Sequence, residues 1–404
     1  MAPSESDQRV SELVGLTSPT SAAATAAACD LVTLIITTSP TPSAPSTDLI
    51  SAIILSFRLH CPALTDCRVI LVLDTFDRVA AHSRLKKGQV TPDGAANFAE
   101  YKENAKRLVL EQYGKKTTSE GEEEGMELSY AEAEYGADAY AQQTNAVTLA
   151  VSRTRDGRVT FIEPLQRIGF GLAVRSALRL TETPYVWVQQ HDWALVADIP
   201  LDPLLALMRQ QQGKGPAAET DNGKPGVDAE SRQVVTVPIK YVCFPSVRMT
   251  RYATSDHVML FPALRALTNL HKQNFSPPAS TTRLAASDGD AAEKPAVKIP
   301  LTPLFFWHDK PHLAETEHYL AQVFPNRLAM SRGGFIEDTV GQRARAEMKN
   351  GQWKKWACWL YYPDEGKQLC VRHLKGRTWL GVEAETARKL EWASRGVETG
   401  RVTA

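Results

Sequence analysis

Several short stretches pair carboxylates with histidine or arginine at spacings that suit chemistry. In QHDW, His191 and Asp192 follow the strand-like run 184–189 after Gln190. An imidazole beside a carboxylate suits a divalent cation, and Mn²⁺ accepts the nitrogen more readily than Mg²⁺. The plainer reading is a pair that caps the following turn. GGFIEDTVGQ (333–342) sets Glu337 and Asp338 at the start of an expected helix. A carboxylate there can take a proton from a hydroxyl, or simply cap the helix, where negative charge is favoured. VRHLKGR (371–377) combines His373 with Arg372, Lys375 and Arg377. Such a loop suits developing negative charge, or merely solvent. LDTFD brings Asp74 and Asp77 to the end of another apolar run, as ligand contacts or as an Asx turn. Arg167 precedes Gly169 and Gly171 in RIGFG. A guanidinium fork next to bare glycine backbone suits phosphate, and a tight turn is the alternative.

These residues need elements to hold them. LVTLIITT (31–38) and CRVILVLD (67–74) are apolar runs without alternation, which predicts strands covered on both faces. Between them, Ile50, Ile53, Ile54 and Phe57 recur at helical spacing, with Ser46, Thr47 or Asp48 as N-cap. Strand, helix, strand implies a parallel α/β sheet. RIGFGLAVRSALRL predicts a turn and an amphipathic helix leading to the strand PYVWVQ. Asp74 and Asp192 then both sit where a buried strand ends, and open α/β sheets bind ligands outside the carboxyl ends of their strands.

Composition is that of an ordinary globular chain: 404 residues, 43% hydrophobic and 23% charged. A formal net charge of zero favours neither nucleic acid nor an anionic membrane. The six cysteines form no CxxC, which argues against a zinc ribbon. No apolar run approaches the roughly 18 residues of a membrane span, so no transmembrane segment is expected. The expected location is cytoplasmic, with a lumenal fragment of a longer membrane-anchored parent as the alternative. Seams in the chain predict a loose segment at 1–28 and an acidic surface insertion at 114–146. They also predict a linker at 210–232, a second flexible insertion at 275–297 and a tail at 393–404. The main blocks are 29–209 and 233–392. Trp307, Trp353, Trp356 and Trp359 are expected mainly in the core. His308, His312 and His318 do not match HExxH, and a solvated helix face after Pro311 is the reading preferred.

In this order the segments resemble the GT-A glycosyltransferase fold, closest to the inverting family 2 type. LVTLIITTSPTPSAPSTDLISAIILSF is similar to its first strand, loop and helix. RVILVLDTFD is similar to the second strand with its nucleotide-side acid. RIGFGLAVRSALRLTETPYVWVQQHDWAL resembles the approach to the metal-binding acidic motif, with QHDW where that family has DxD. GGFIEDTVGQ resembles the Glu-Asp motif and RHLKGRTW the later His/Arg segment. The resemblance covers about two-thirds of the chain. It implies a Rossmann-type, mostly parallel mixed sheet flanked by helices, with surface insertions. It makes 29–209 the nucleotide-sugar half and 233–392 the acceptor and catalytic half. It implies transfer from a nucleotide-sugar donor, most simply a UDP-sugar, to a glycan, lipid or protein hydroxyl with inversion. Asp338 would be the base, supported by Glu337. Asp74, Arg167, Gly169 and Arg377 would bind donor, and Asp192, His191 and His373 would hold Mn²⁺ or Mg²⁺. A catalytically silent sugar or nucleotide binder is the alternative from another class. A nucleotidyltransferase ranks lower, because SPTPSAP lacks the basic residues of a phosphate loop.

Overall fold

The computed structural model describes residues 27–114, 125–136, 145–212, 237–278 and 297–399. In chain order these give β1 (Val32–Thr38), α1 (Asp48–His60), β2 (Arg68–Leu73) and α2 (Pro92–Tyr113). Next come β3 (Met126–Tyr135), β4 (Asn145–Thr154), β5 (Val159–Pro164), α3 (Phe170–Arg179), β6 (Tyr185–Gln190) and β7 (Trp193–Leu195). They are followed by α4 (Leu201–Gln212), β8 (Tyr241–Cys243), α5 (Pro262–His271), β9 (Gln273–Phe275), β10 (Ile299–Pro303) and β11 (His312–Glu315). The described part ends with α6 (Thr316–Val323), α7 (Gln342–Glu347), β12 (Cys358–Tyr361), β13 (Val371–His373) and α8 (Val382–Thr399).

Every residue of β1 is buried, as a non-alternating apolar run requires at the centre of a covered sheet. It pairs in parallel with β2 and with β6, and β2 pairs in parallel with β5. The sheet has eleven strands in the order β9, β10, β12, β8, β11, β6, β1, β2, β5, β4, β3. β11 runs antiparallel to both β6 and β8, which makes the sheet mixed. The fold is thus mixed α/β, a large sheet flanked by helices, parallel around β1; among the described residues four of its ten strand pairings are parallel and six antiparallel. Its core is one cluster in which Trp187, Trp307, Trp353, Trp356 and Trp359 are fully buried.

β7 does not join this sheet. It pairs antiparallel with β13, as Trp193↔His373, Ala194↔Arg372 and Leu195↔Val371. This explains why the chain resumes with Trp193, Ala194 and Leu195 after its polar pair: they form a small ladder that carries His373 to Asp192.

Three expectations need correction. The stretch 114–146 is not merely a surface insertion, because β3 lies in it and extends the sheet by pairing ten residues with β4, which begins at Asn145. The tail at 393 is not separate, since α8 continues to Thr399. Phe275, placed in an insertion, ends the edge strand β9. Residues 1–26 and 213–232, expected to be loose segment and linker, lie outside the described residues, as does most of 275–297.

Candidate active site

β1, β2 and β6 are parallel, so their carboxyl ends deliver Thr37, Thr38, Asp74, His191 and Asp192 to one side of the sheet. A cavity of about 810 Å³ opens there. Arg167, Gly169, Glu337, His373 and Arg377 line it as well. Asp338 and Asp77 do not, and the Asp338 side chain is exposed.

Asp192 is almost wholly buried. Its Oδ2 accepts from the Gly376 amide at 3.1 Å and lies 3.1 Å from His373 Nε2. The Lys375 amide donates to His373 Nδ1 at 3.1 Å, which puts the ring proton on Nε2, toward Asp192. Burial alone would raise Asp192. The His373 hydrogen bond, the charges of both histidines and the Gly376 amide instead bring it down to about 2. A side chain on Gly376 would start 2.8 Å from His191 Nε2, so glycine is needed for this approach. His191 bonds Thr38 Oγ1 at 2.8 Å, and Thr38 in turn bonds Tyr101 at 2.7 Å. Burial lowers the His191 pKa, against the opposing charge of Asp192.

The Mn²⁺ or Mg²⁺ that the resemblance implies does not fit this donor set as it stands. Among the described residues no three His, Cys, Asp or Glu side chains converge on a metal position. Asp192 Oδ2 is occupied by two donors, and the His373 nitrogen facing it carries a proton. The arrangement holds a proton and an amide between Asp192 and its neighbours.

Asp74 is spent on the backbone. Its Oδ1 accepts from the Ile168 and Thr75 amides at 2.8 and 3.0 Å, and its Oδ2 from Gly169 at 2.9 Å. Burial raises its carboxyl to about 6, against those hydrogen bonds and the charge of Arg167. Asp74 therefore pins the RIGFG turn and keeps little acceptor capacity for a ligand. Asp77 is taken by Arg167 at 3.3 Å and Arg332 at 2.9 Å.

Glu337 faces inward. Its Oε1 accepts from His308 Nδ1 at 2.9 Å and from the Asp309 amide at 3.0 Å, with Lys310 Nζ at 3.5 Å. Asp309 Oδ1 returns the contact, accepting from the Glu337 amide at 3.2 Å. This reciprocal pair has the form of a helix cap made across 28 residues of chain. Burial alone would raise Glu337, but the bond and charge of His308, the charge of Lys310 and the Asp309 amide lower it to about 2.

The histidine set is not a solvated helix face. His308 lies against Glu337, His312 is fully buried in β11, and only His318 sits on a helix, bonded to the Trp356 carbonyl. His312 Nδ1 meets the Lys310 carbonyl at 2.6 Å, so protein acceptors hold all three rings.

Sequence reasoning missed Asp309, Lys310 and Gly376, and the first two line the cavity. One signal was present: HD at 308–309 repeats the HD of 191–192. The two are adjoining in space, since Gln190 Nε2 donates to the Asp309 carbonyl at 2.8 Å. Cations are concentrated here too, with Arg167, Arg248, Lys310, Arg372, Lys375 and Arg377 on the lining. Arg377 stacks over Phe335, which stacks on Phe170, so the 372–378 segment touches both glycine loops.

No protein-family model matches the chain, and no curated protein matches it.

Proposed function

We propose that this protein is a glycosyltransferase of GT-A type. It moves a sugar from a nucleotide-sugar donor, most simply a UDP-sugar, to an acceptor hydroxyl with inversion at the anomeric carbon. One observation supports this above others. A single crevice at the carboxyl ends of the parallel strands is lined by the cationic segment 372–378 and, on separate elements, by the carboxyls of Asp309 and Glu337. Single displacement needs both. Negative charge develops on the departing diphosphate, where Arg377, Lys375 and His373 can meet it in a partly dry site. The acceptor loses its proton to a carboxyl group. Asp192 holds His373 in one tautomer and orientation, while Asp74 fixes the turn carrying Arg167 and Gly169. No step is assigned to a metal.

A catalytically silent nucleotide-sugar binder is the second reading. The observation favouring it is that both oxygens of Asp74 and Oδ2 of Asp192 are already occupied by protein donors. The test is release of nucleoside diphosphate from UDP-glucose, UDP-N-acetylglucosamine and GDP-mannose, with and without Mn²⁺. Monosaccharide, methyl-glycoside and water acceptors are supplied. Turnover that falls roughly 10²-fold in His373→Ala, with melting temperature held, fits the transferase. Binding of UDP by thermal shift without any turnover fits the silent binder.

A further inference from the structure

The two carboxyls on the 308–310 and 337 segments have unlike surroundings. Glu337 Oε1 is met by His308, Lys310 and the Asp309 amide. Among the described residues, the Asp309 side chain is met only at Oδ1, by the Glu337 amide. Asp309 is 6% exposed, yet it lines the crevice. Its own carbonyl is tied to Gln190, the residue before His191. Asp309 is therefore buried, placed next to the diphosphate-side pair, and left with Oδ2 uncommitted.

We infer that Asp309 receives the acceptor's hydroxyl proton, with Glu337 as the residue that positions it; this rests on the transferase reading. The acceptor oxygen bonds to the anomeric carbon while the carbon–oxygen bond to the diphosphate breaks. The hydroxyl proton passes to Asp309 Oδ2, and the electron pair of the broken bond leaves with the diphosphate.

A general base works best when its pKa approaches the working pH. Burial pushes the Asp309 carboxyl well above the usual carboxylate range, and the negative charges of Glu337 and Asp338 add to it. The Glu337 amide and Lys310 oppose them. Glu337, brought down to about 2, is too weakly basic for the task. Neighbouring carboxyls whose values are driven apart divide the work: one stays charged and the other exchanges protons. The groups facing Asp309 are His308, Lys310, Glu337, Asp338 and Tyr319. Burial lowers His308, and the positive charge opposing the rise of Asp309 is that of Lys310.

The experiment measures transfer against pH for the full chain and for Asp309→Asn, Glu337→Gln and Asp338→Asn, with UDP affinity by calorimetry. Asp309→Asn should lower kcat roughly 10²–10⁴-fold and leave UDP affinity unchanged. Asp338→Asn should reach the parent's plateau rate, with the rise in activity moved slightly to lower pH by loss of its weaker like charge. Activity should rise with pH as Asp309 ionises, and Glu337→Gln should move that rise to lower pH by removing a like charge. Parent-level transfer by Asp309→Asn, beside an active parent, overturns the assignment alone. A parent that transfers nothing overturns the transferase reading and this step with it. Asp309→Asn keeps an oxygen for the Glu337 amide, so it should fold. If it does not, infrared titration of the parent decides. Asp74, itself raised to about 6, contributes such a band, so Asp74→Asn is titrated beside the parent. A protonated carboxyl band that persists above about pH 5 in Asp74→Asn supports the inference, and loss of every such band from that variant by that pH overturns it.

Discussion

Two adjacent residues in GGFIED point to different places. The pattern favoured Asp338 as the residue facing a ligand, but Glu337 lines the crevice and Asp338 is exposed. Consecutive residues of a helix diverge by about 100°, and nothing local says which one turns inward. The deciding partner, Asp309, is distant in sequence and was not singled out there. A stability measurement can read the resulting charge environment. The Glu337 carboxyl is lowered from 4.5 to about 2. A lowered acid contributes stability that is present above its unfolded value and lost as pH falls through its folded value. Glu337→Gln should therefore be less stable than the parent at neutral pH, with the gap closing between about pH 4.5 and pH 2. Urea midpoints across that range check it, and a constant gap would mean that ionisation is not what stabilises. Asp309 has the opposite sign. Its raised value means that ionising it costs stability as pH rises, so Asp309→Asn should gain on the parent from acid to neutral pH. Such a cost at a buried carboxyl is what a functional proton site exacts.

Strands and helices were legible where the chain is strongly apolar. The expected strands at 31–38 and 67–74 are Val32–Thr38 and Arg68–Leu73, and the expected helix between them is Asp48–His60. β3 was not legible, for a physical reason. It is an edge strand with Leu128 and Tyr130 exposed, so MELSYAEAEY lacks the apolar density of a covered strand. How loops meet was not legible either. RIGFG and RGGF read as two separate turns, yet they cross each other. The Gly333 amide donates to the Ile168 carbonyl at 2.7 Å, and the Gly171 amide to Gly334 at 3.1 Å. Gly169 has φ +80°, and a methyl group on it would sit 2.5 Å from Gly333 Cα. That position is closed to a side chain twice, by dihedral and by space. Gly169→Ala should cost at least about 1–3 kcal/mol from the dihedral alone. Turnover should fall with it, because the crossing holds Arg167 on one strand of chain and leads to Glu337 on the other. A parental urea midpoint for Gly169→Ala would show that the two loops do not come this close.

The sequence divides into two halves at 210–232, but the sheet does not. β11, from the second half, lies between β6 of the first and β8 of the second. β13 pairs with β7 across the same division. The crevice is shared as well, with Asp74, His191 and Asp192 before the division and Asp309, Glu337 and His373 after it. A chain ending at 212 would leave β6 as an unpaired edge with Trp187 and Val188 uncovered on the side where β11 belongs. An exposed apolar edge of that kind invites aggregation. Neither half should then fold alone, and the whole should unfold in one step. The tryptophans make this testable. Trp187 and Trp193 are in the first half, and all the others lie after residue 300. Tryptophan fluorescence thus reports mainly on the second half, whereas far-ultraviolet circular dichroism reports on both. If the halves are one cooperative unit, the two signals should share a single urea midpoint. UDP, if it binds in the shared crevice, should move both by the same amount, since a ligand of the native state stabilises whatever unfolds with its site. Separate midpoints, or a UDP shift in one signal only, would mean that the continuous sheet conceals two independently stable parts.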